Sequence, residues 1–209
     1  LHVVDDVYQT LPLYSNLKTT GVYIYAKDYD IKGRQATICV ESEVKNETDR
    51  PVTRRLEVAV NELDGAEVCG FASEEVTIPA HGTAILKAQC RAYNLHFWSW
   101  GYGYLYDVKT TVGADEVVTR TGFRKAEFKN GMVYLNDRVI MLHGYAQRTS
   151  NEWPGVGMSV PAWLSDYSND LMVKSGGNLV RWMHITPWKQ DVESCDRVGL
   201  IQAMPAGDA

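Results

Sequence analysis

Apolar and polar residues alternate over short runs in the first 124 positions. From Val52 to Val60, the even-numbered positions form a mostly apolar face and the odd-numbered positions a mostly polar one. Similar alternation recurs in residues 38–44, 84–90 and 104–112, and turn-forming residues separate the runs at 46–51, 63–65, 79–82 and 113–115. An apolar residue at every second position is typical of strands with one face buried. Six or seven strands spaced about ten residues apart predict an antiparallel β-sandwich of the immunoglobulin type.

The pattern changes after about residue 125. Residues 127–140 predict a hairpin with turns at Asn130-Gly131 and Asn136-Asp137. The last arm is expected to continue through His143-Gly144 as a buried strand. After a polar stretch, Pro161 suits the first turn of a helix, where its missing N–H needs no partner.

A helix, a strand, a second helix and a second strand are then predicted. Trp163, Tyr167 and Leu171 recur every four residues, and Gly176 follows at the position of a C-terminal cap. An apolar strand runs from Leu179, a second helical pattern ends at Gly199, and residues 200–204 are apolar again. This order predicts a parallel α/β arrangement.

Two polar side chains lie at the carboxyl end of the first of these strands. In parallel sheets, ligands bind beyond the carboxyl ends of the strands. Arg181 and His184 are therefore candidate site residues. The alternative is that Arg181 pairs with a structural carboxylate and His184 only closes a loop.

Composition narrows the functional classes. A chain of 209 residues with 45% hydrophobic content can bury an ordinary core, and its net charge of -5 offers no basic stripe for nucleic acid. No apolar run approaches the roughly 20 residues that cross a bilayer. The chain opens on Leu1-His2-Val3-Val4, which resembles the interior of a strand. We therefore expect it to be part of a longer protein.

The four cysteines lack the close spacing of metal ligands. Cys39 and Cys90 lie on predicted strands of the same domain and could bridge two sheets, although buried free thiols are favoured. The sequence predicts no metal site and no cofactor.

An aromatic patch interrupts the strands at residues 97–104. Exposed aromatic rings can stack on sugars and often mark binding surfaces. The favoured interpretation is that these rings pack against a neighbouring domain.

Several short motifs together resemble the middle of a family 2 glycoside hydrolase, the family of β-galactosidases, β-glucuronidases and β-mannosidases. They are Tyr104-Leu105-Tyr106, Gly122-Phe123-Arg124, Leu135-Asn136-Asp137, His143-Gly144, Asn178-Leu179-Val180-Arg181 with His184 and Pro187, and Cys195-Asp196-Arg197-Val198-Gly199-Leu200. The resemblance covers essentially the whole chain.

The resemblance implies a domain order. Residues 1–20 would end a preceding jelly-roll domain or form a linker, 21–125 would form the immunoglobulin-like sandwich, and 126–209 would begin a (β/α)8 barrel. Such a barrel takes about 250 residues, so it would be incomplete here. Both catalytic carboxylates, the acid/base and the nucleophile, would lie beyond Ala209.

The resemblance also implies roles for the candidate residues. Arg181 would orient the nucleophilic glutamate and keep it ionised, and His184 would reach a sugar hydroxyl. The family usually has Asn-Arg-His after the first-strand glycine, whereas Gly144 is followed by Tyr145-Ala146-Gln147-Arg148. Gln147 and Arg148 could supply sugar contacts, or could equally form an exposed loop. The magnesium ion of some β-galactosidases does not carry over.

The predicted function is therefore that of a segment of a retaining, β-galactosidase-like glycoside hydrolase acting on a β-linked carbohydrate, inactive by itself. The alternative is a non-catalytic immunoglobulin-like module that binds carbohydrate or positions other domains. Neither nucleic acid nor a membrane is an expected partner, and the oligomeric state stays open. A periplasmic or secreted location is favoured over a cytoplasmic one.

Overall fold

The computed structural model describes residues 3–13, 17–147, 155, 160–183 and 186–204. The chain divides into two compact units. Unit 1 comprises residues 1–95 and 106–123, and unit 2 comprises residues 96–105 and 124–209.

Unit 1 contains only antiparallel strands among its described residues. They are β1 (Val7–Gln9), β2 (Val22–Asp30), β3 (Gln35–Asn46), β4 (Val52–Arg54), β5 (Glu57–Glu62), β6 (Glu67–Ala72), β7 (Val76–Ile78), β8 (Thr83–Ala92), β9 (Tyr106–Val112) and β10 (Asp115–Thr121). In the first sheet, β1 and β2 pair with one edge of β3, and β8 pairs with the other. The second sheet has the order β10-β9-β5-β6.

The core of unit 1 is built from alternate residues of both sheets. Even-numbered residues of β3 such as Ile38 and Val40 are buried, as are Val60 on β5 and Tyr106 and Val108 on β9. Apolar side chains on one face of each strand lose their contact with water by facing the other sheet. Antiparallel β-structure with one buried face was predicted for this region, and the structure confirms it.

A buried glutamine joins the two sheets. The Gln9 side-chain amide donates to the Thr110 carbonyl oxygen at 3.2 Å and to Asp115 at 3.0 Å, and its oxygen accepts from Ser42 Oγ at 3.0 Å. Ser42 lies on the first sheet, and Thr110 and Asp115 on the second. Buried polar groups need such partners, because an unsatisfied one costs about 1–3 kcal/mol. Gln9 therefore fixes β1 within unit 1.

The prediction of one long strand from Val52 to Val60 is wrong, because the structure has two strands, β4 and β5, in this stretch. β4 pairs with β7, whereas β5 pairs with β6 and β9. The chain changes partners at Leu56, whose N–H donates to Ser73 Oγ at 2.9 Å. The alternating pattern continues across the break, so hydrophobicity alone could not reveal it.

The first strands of unit 2 form two hairpins. They are β11 (Ala126–Lys129), β12 (Met132–Leu135) and β13 (Arg138–Ile140). The turns lie where they were predicted. Asn130 and Gly131 have φ values of 52° and 71°, and Asn136 and Asp137 have 49° and 64°. Two consecutive positive φ angles are the geometry that Asn-Gly and Asn-Asp favour in tight hairpins.

A parallel sheet with two connecting helices follows. In chain order, its elements are β14 (Gly144–Gln147), α1 (Ala162–Lys174), β15 (Leu179–Trp182), α2 (Lys189–Val198) and β16 (Ile201–Ala203). Its strand order is β14-β15-β16. The predicted succession of helices and parallel strands is confirmed. The prediction of a buried strand through His143 is wrong, because β14 begins at Gly144 and residues 144–146 are exposed.

The two helices pack on one face of this sheet. Val180 and Trp182 of β15 form a buried cluster with Met172, Cys195 and Leu200. Gly199 ends α2 in the left-handed conformation with φ of 77°, and Gly176 follows α1 with φ of 90°, as their capping positions predicted.

The apolar stripe that predicted α1 does not face the core. Trp163, Tyr167 and Leu171 are 60%, 54% and 47% exposed, whereas Leu164 and Met172 are buried. Polar residues occupy much of the buried interface between the helices instead. Ser165 Oγ donates to Asp191 at 2.6 Å, and Asn169 Nδ2 donates to Ser194 Oγ at 3.0 Å. The periodicity located the helix, and tertiary packing chose its inner face.

Asp191 in that interface makes stability depend on pH. Burial raises the pKa of its carboxyl group, and the hydrogen bond from Ser165 opposes this effect. Because the folded state holds the proton more tightly than the unfolded chain, stability should fall as the pH rises from about 4 towards neutrality. Asp191→Asn is expected to remove that part of the pH dependence.

The check is the melting temperature between pH 4 and pH 7. The difference in melting temperature between Asp191→Asn and the wild type should change in favour of the variant as the pH rises. Asp64→Asn, in an exposed turn, is the control and should keep a constant gap. Parallel curves for Asp191→Asn would contradict the assignment.

The aromatic segment at residues 96–105 belongs to unit 2. The Trp98 indole N–H donates to the Asp196 carbonyl oxygen at 2.8 Å, and that of Trp100 donates to the Gly177 carbonyl oxygen at 3.0 Å. A Cβ on Gly103 would overlap the backbone of Arg197. The segment thus docks onto α2 and the residues just before β15, which belong to the predicted barrel part. The interpretation that these rings pack against residues outside the predicted sandwich agrees with this, although the structure groups both partners in unit 2.

The contact-based units differ from the predicted domains in two places. β1 pairs with β3, although it falls within the predicted linker at 1–20, and residues 96–105 group with the second unit. The assignment of 1–20 to the end of a preceding domain stays a prediction, as does the immunoglobulin type of the sandwich.

Candidate functional site

The carboxyl edge of the parallel sheet carries the first candidate residue. β15 alternates between faces: Val180 and Trp182 are buried on the side of the helices, and Arg181 between them is exposed. Arg181 is in register with Ala146 on β14 and Ala203 on β16. A long cationic side chain thus stands between two small neighbours, on the face opposite the two described helices.

The amino-terminal half of that same face is covered. Ile201 of β16 packs with Ile140 against the buried cluster of Trp98, Leu105 and Leu135. The carboxyl half, at the level of Arg181, has no such cover among the described residues. The Arg181 guanidinium has no hydrogen-bond or ion-pair partner in the part of the chain that the structure describes. Nothing there supports the alternative that Arg181 neutralises a structural carboxylate.

Gln147 lies at the same edge on the other side of the sheet. It is in register with Trp182. Residues in register on neighbouring strands point to the same face, so the side chain of Gln147 points towards the helices. Its Oε1 is buried and lacks a partner among the described residues. The Gln147 carbonyl oxygen accepts from the Met183 N–H at 2.9 Å, which extends the pairing of β14 and β15.

The structure therefore does not bring Gln147 and Arg181 together on one face. The other two predicted site residues, His184 and Arg148, lie outside the described residues. The predicted sugar contacts of Gln147, Arg148 and His184 stay predictions.

Asn178 organises the opposite, amino end of the sheet. Its Oδ1 accepts from the His143 N–H at 2.9 Å, and its Nδ2 donates to the Met141 carbonyl oxygen at 2.8 Å. The side chain thus ties the segment before β14 to the start of β15. The sequence analysis placed Asn178 in a motif without giving it a role. The structure shows that its buried side chain holds the two segments together.

A cavity of about 410 Å³ lies at this amino end. Trp100, Arg138, Ile140, His143 and Asn178 are among its lining residues. The His143 ring contacts two carbonyl oxygens, those of Met141 and Gly176. This cavity and Arg181 occupy opposite ends of the strands, so they do not form one site.

The remaining chemistry of the described residues is limited. They contain no group of three His, Cys, Asp or Glu residues placed to hold a metal ion. No helix within the described ranges is long and apolar enough to span a lipid bilayer. Arg181 can bind and orient an anionic group at the strand ends.

Comparison with known proteins assigns the family. The model of the family described as glycosyl hydrolases family 2 matches residues 20–124. The chain belongs to this family.

Two bacterial relatives of this family 2 chain carry different activities in their names. A β-glucuronidase of Formosa agariphila is 33% identical over 211 residues, covering 98% of this chain and 21% of that protein. A β-galactosidase of Thermoanaerobacterium thermosulfurigenes is 28% identical over 113 residues, covering 52% of this chain and 16% of that protein.

A solved β-glucuronidase of glycoside hydrolase family 2 has the same fold over nearly the whole chain. The TM-score is 0.86 with 31% identity, and the match covers 98% of this chain and 22% of that one. The family 2 chain thus spans about a fifth of the length of that structure and of the Formosa relative. The family predicted from the sequence motifs is confirmed.

Proposed function

We propose that this chain is the central part of a retaining β-glycosidase. Unit 1 would be its immunoglobulin-like sandwich, and β14 to β16 would be the first three strands of a (β/α)8 barrel. The observation that carries the proposal is Arg181, exposed and without a partner among the described residues, at the carboxyl edge of a family 2 chain. Active sites of such barrels lie at the carboxyl ends of the strands.

The geometry of the sheet supports a continuing barrel. Both helices lie on one face, and β14 and β16 each pair only with β15 among the described residues. Open strand edges invite further pairing, and an uncovered face exposes apolar surface. Further strands on these edges would leave Arg181 pointing into the barrel mouth.

Arg181 would act on a catalytic carboxylate rather than on the glycosidic bond. Retaining hydrolysis needs two carboxyl groups about 5 Å apart, a nucleophile and an acid/base. A guanidinium beside the nucleophile would hold it ionised and correctly oriented. Both carboxylates are proposed to lie beyond Ala209.

The substrate proposed first is a β-glucuronide. The relatives with the higher identities and the longer coverage, at 33% and 31%, are both named β-glucuronidases. A β-galactoside, which the sequence motifs favoured, is the second candidate, supported by the relative at 28% identity.

The test is a panel of nitrophenyl glycosides with the complete protein that contains this chain. We expect release of nitrophenol from the β-glucuronide at least about tenfold faster, in kcat/KM, than from the β-galactoside, and none from the α-glucuronide. Faster hydrolysis of the β-galactoside would contradict the proposed β-glucuronide substrate but would still support β-glycosidase activity. No hydrolysis of any β-glycoside would favour the non-catalytic module instead.

A further inference from the structure

Two cysteines of unit 1 face each other between its sheets. Cys69 lies on β6, an edge strand of the second sheet, and Cys90 lies on β8, an edge strand of the first. Cys69 is in register with the buried Val60, and Cys90 with the buried Ile38. Both thiols therefore lie on the inward faces of their sheets.

The two side chains are close enough to interact directly. Strands β6 and β8 pack against each other, and the neighbouring Cys90 is one of the groups that raise the pKa of the Cys69 thiol. The Cys90 thiol also contacts the Arg91 carbonyl oxygen at 3.4 Å. Both cysteines are free and only partly buried, so a small reagent can approach from the sheet edge. An inter-sheet bridge needs two cysteines whose side chains point towards each other from facing strands, and Cys69 and Cys90 meet this requirement.

The other cysteines are not placed for this chemistry. Cys39 is in register with Gln89, one residue away from Cys90, so its side chain points to the outer face of the first sheet. The bridge considered between Cys39 and Cys90 is therefore excluded: both lie on one sheet and point to opposite faces. Cys195 is fully buried in unit 2 against β15.

We propose that Cys69 and Cys90 are a modification site that closes to an inter-sheet disulfide by exchange with a small-molecule disulfide, such as oxidised glutathione. One cysteine thiolate attacks the glutathione disulfide, which forms a mixed disulfide and releases one glutathione. The second cysteine thiolate then attacks the protein sulfur of the mixed disulfide and releases the other glutathione. Two protein thiols are oxidised and one glutathione disulfide is reduced to two thiols.

The surroundings of Cys69 favour a structural bond over a rapidly exchanging one. Burial, together with the neighbouring Cys90, raises the pKa of Cys69 to about 12. A thiol of that pKa is almost wholly protonated at neutral pH, so exchange should be slow and should accelerate with pH. Reduced Cys69 also gains no stabilisation as a thiolate.

Peptide mapping of the wild-type protein tests the proposal without any variant. Trypsin cuts after Lys87, between the two cysteines, so Cys69 falls in peptide 56–87 and Cys90 in peptide 88–91. After incubation with oxidised glutathione at about pH 8.5, mass spectrometry without reduction should find these peptides joined. Cys39 and Cys195, in peptides 35–45 and 190–197, should remain alkylatable after unfolding.

A second measurement reports on the consequence. Twenty residues separate the two cysteines, and closing a loop of that length should raise the melting temperature by roughly 5 °C or more. Cys69→Ser and Cys90→Ser should each abolish the linked peptide and this rise, whereas Cys39→Ser should keep both.

Three outcomes would overturn the proposal. They are glutathione adducts on Cys69 or Cys90 without a linked peptide, a bridge that includes Cys39 or Cys195, and full alkylation of both cysteines after prolonged oxidation. Each would show that the two sulfurs do not meet in the folded protein.

Discussion

Arg181→Ala should lower kcat of the complete protein, in its proposed β-glycosidase reaction, by about 10²–10³-fold. Arg181 is exposed between Ala146 and Ala203, and it has no hydrogen-bond or ion-pair partner among the described residues that would contribute to folding stability. Its removal should therefore leave the melting temperature nearly unchanged, while the proposed nucleophile loses its orienting hydrogen bonds. The measurement is kcat and KM on the best nitrophenyl β-glycoside, together with thermal unfolding of the same preparations.

Two further variants separate orientation from charge. Arg181→Lys keeps the charge but loses the bidentate geometry, so it should recover only part of the activity. Arg138→Ala is the matched control, because Arg138 is also an exposed arginine of unit 2 but lies at the amino end of the sheet. Activity of Arg181→Ala within a few-fold of the wild type would refute the proposed role.

Gly144→Ala should destabilise unit 2 by on the order of 3 kcal/mol. An added Cβ would lie well inside contact distance of the Leu179 carbonyl oxygen, which belongs to the backbone of the paired strand β15. Backbone atoms in a parallel ladder cannot rotate away as a side chain can. β14 would have to separate from β15, and the edge that carries Gln147 and Arg181 would move with it.

Chemical denaturation of the complete protein measures this effect. Gly70→Ala is the control, since Gly70 also lies within a strand and its added Cβ would meet first a side-chain oxygen of Glu67 at 3.3 Å. The control should change stability by less than about 1 kcal/mol. Equal midpoints for Gly144→Ala and Gly70→Ala would mean that β14 does not lie as closely against β15 as the structure has it.

The contrast between hairpin and helix shows which sequence signals are reliable. Asn130-Gly131 and Asn136-Asp137 specified their turns because few residues accept positive φ, which is a local property of the chain. The stripe of Trp163, Tyr167 and Leu171 predicted the helix correctly but not its buried face. Which face of a helix is buried depends on its neighbours, and here Asp191 and Ser194 of α2 meet the polar side of α1.

The candidate site shows the same division. Motif order identified the family and drew attention to Arg181, and alternation within β15 is visible in the sequence. Only strand register shows that Gln147 shares a face with Trp182 and not with Arg181. Register shifted by one residue would reverse this assignment, and short exposed strands such as β14 carry too few apolar residues to specify it.

The sequence by itself determined the family, the strand-rich first part, the turns and the parallel order of β14, β15 and β16, because these depend on local backbone preferences and on periodicity. The tertiary structure alone decided that Cys90 faces Cys69 rather than Cys39 and that Gln9 joins two sheets. It also decided that Arg181 stands at a strand end where no described residue covers it or pairs with it. Those features depend on which distant residues meet, and contacts between distant residues are fixed only when the sheets pack.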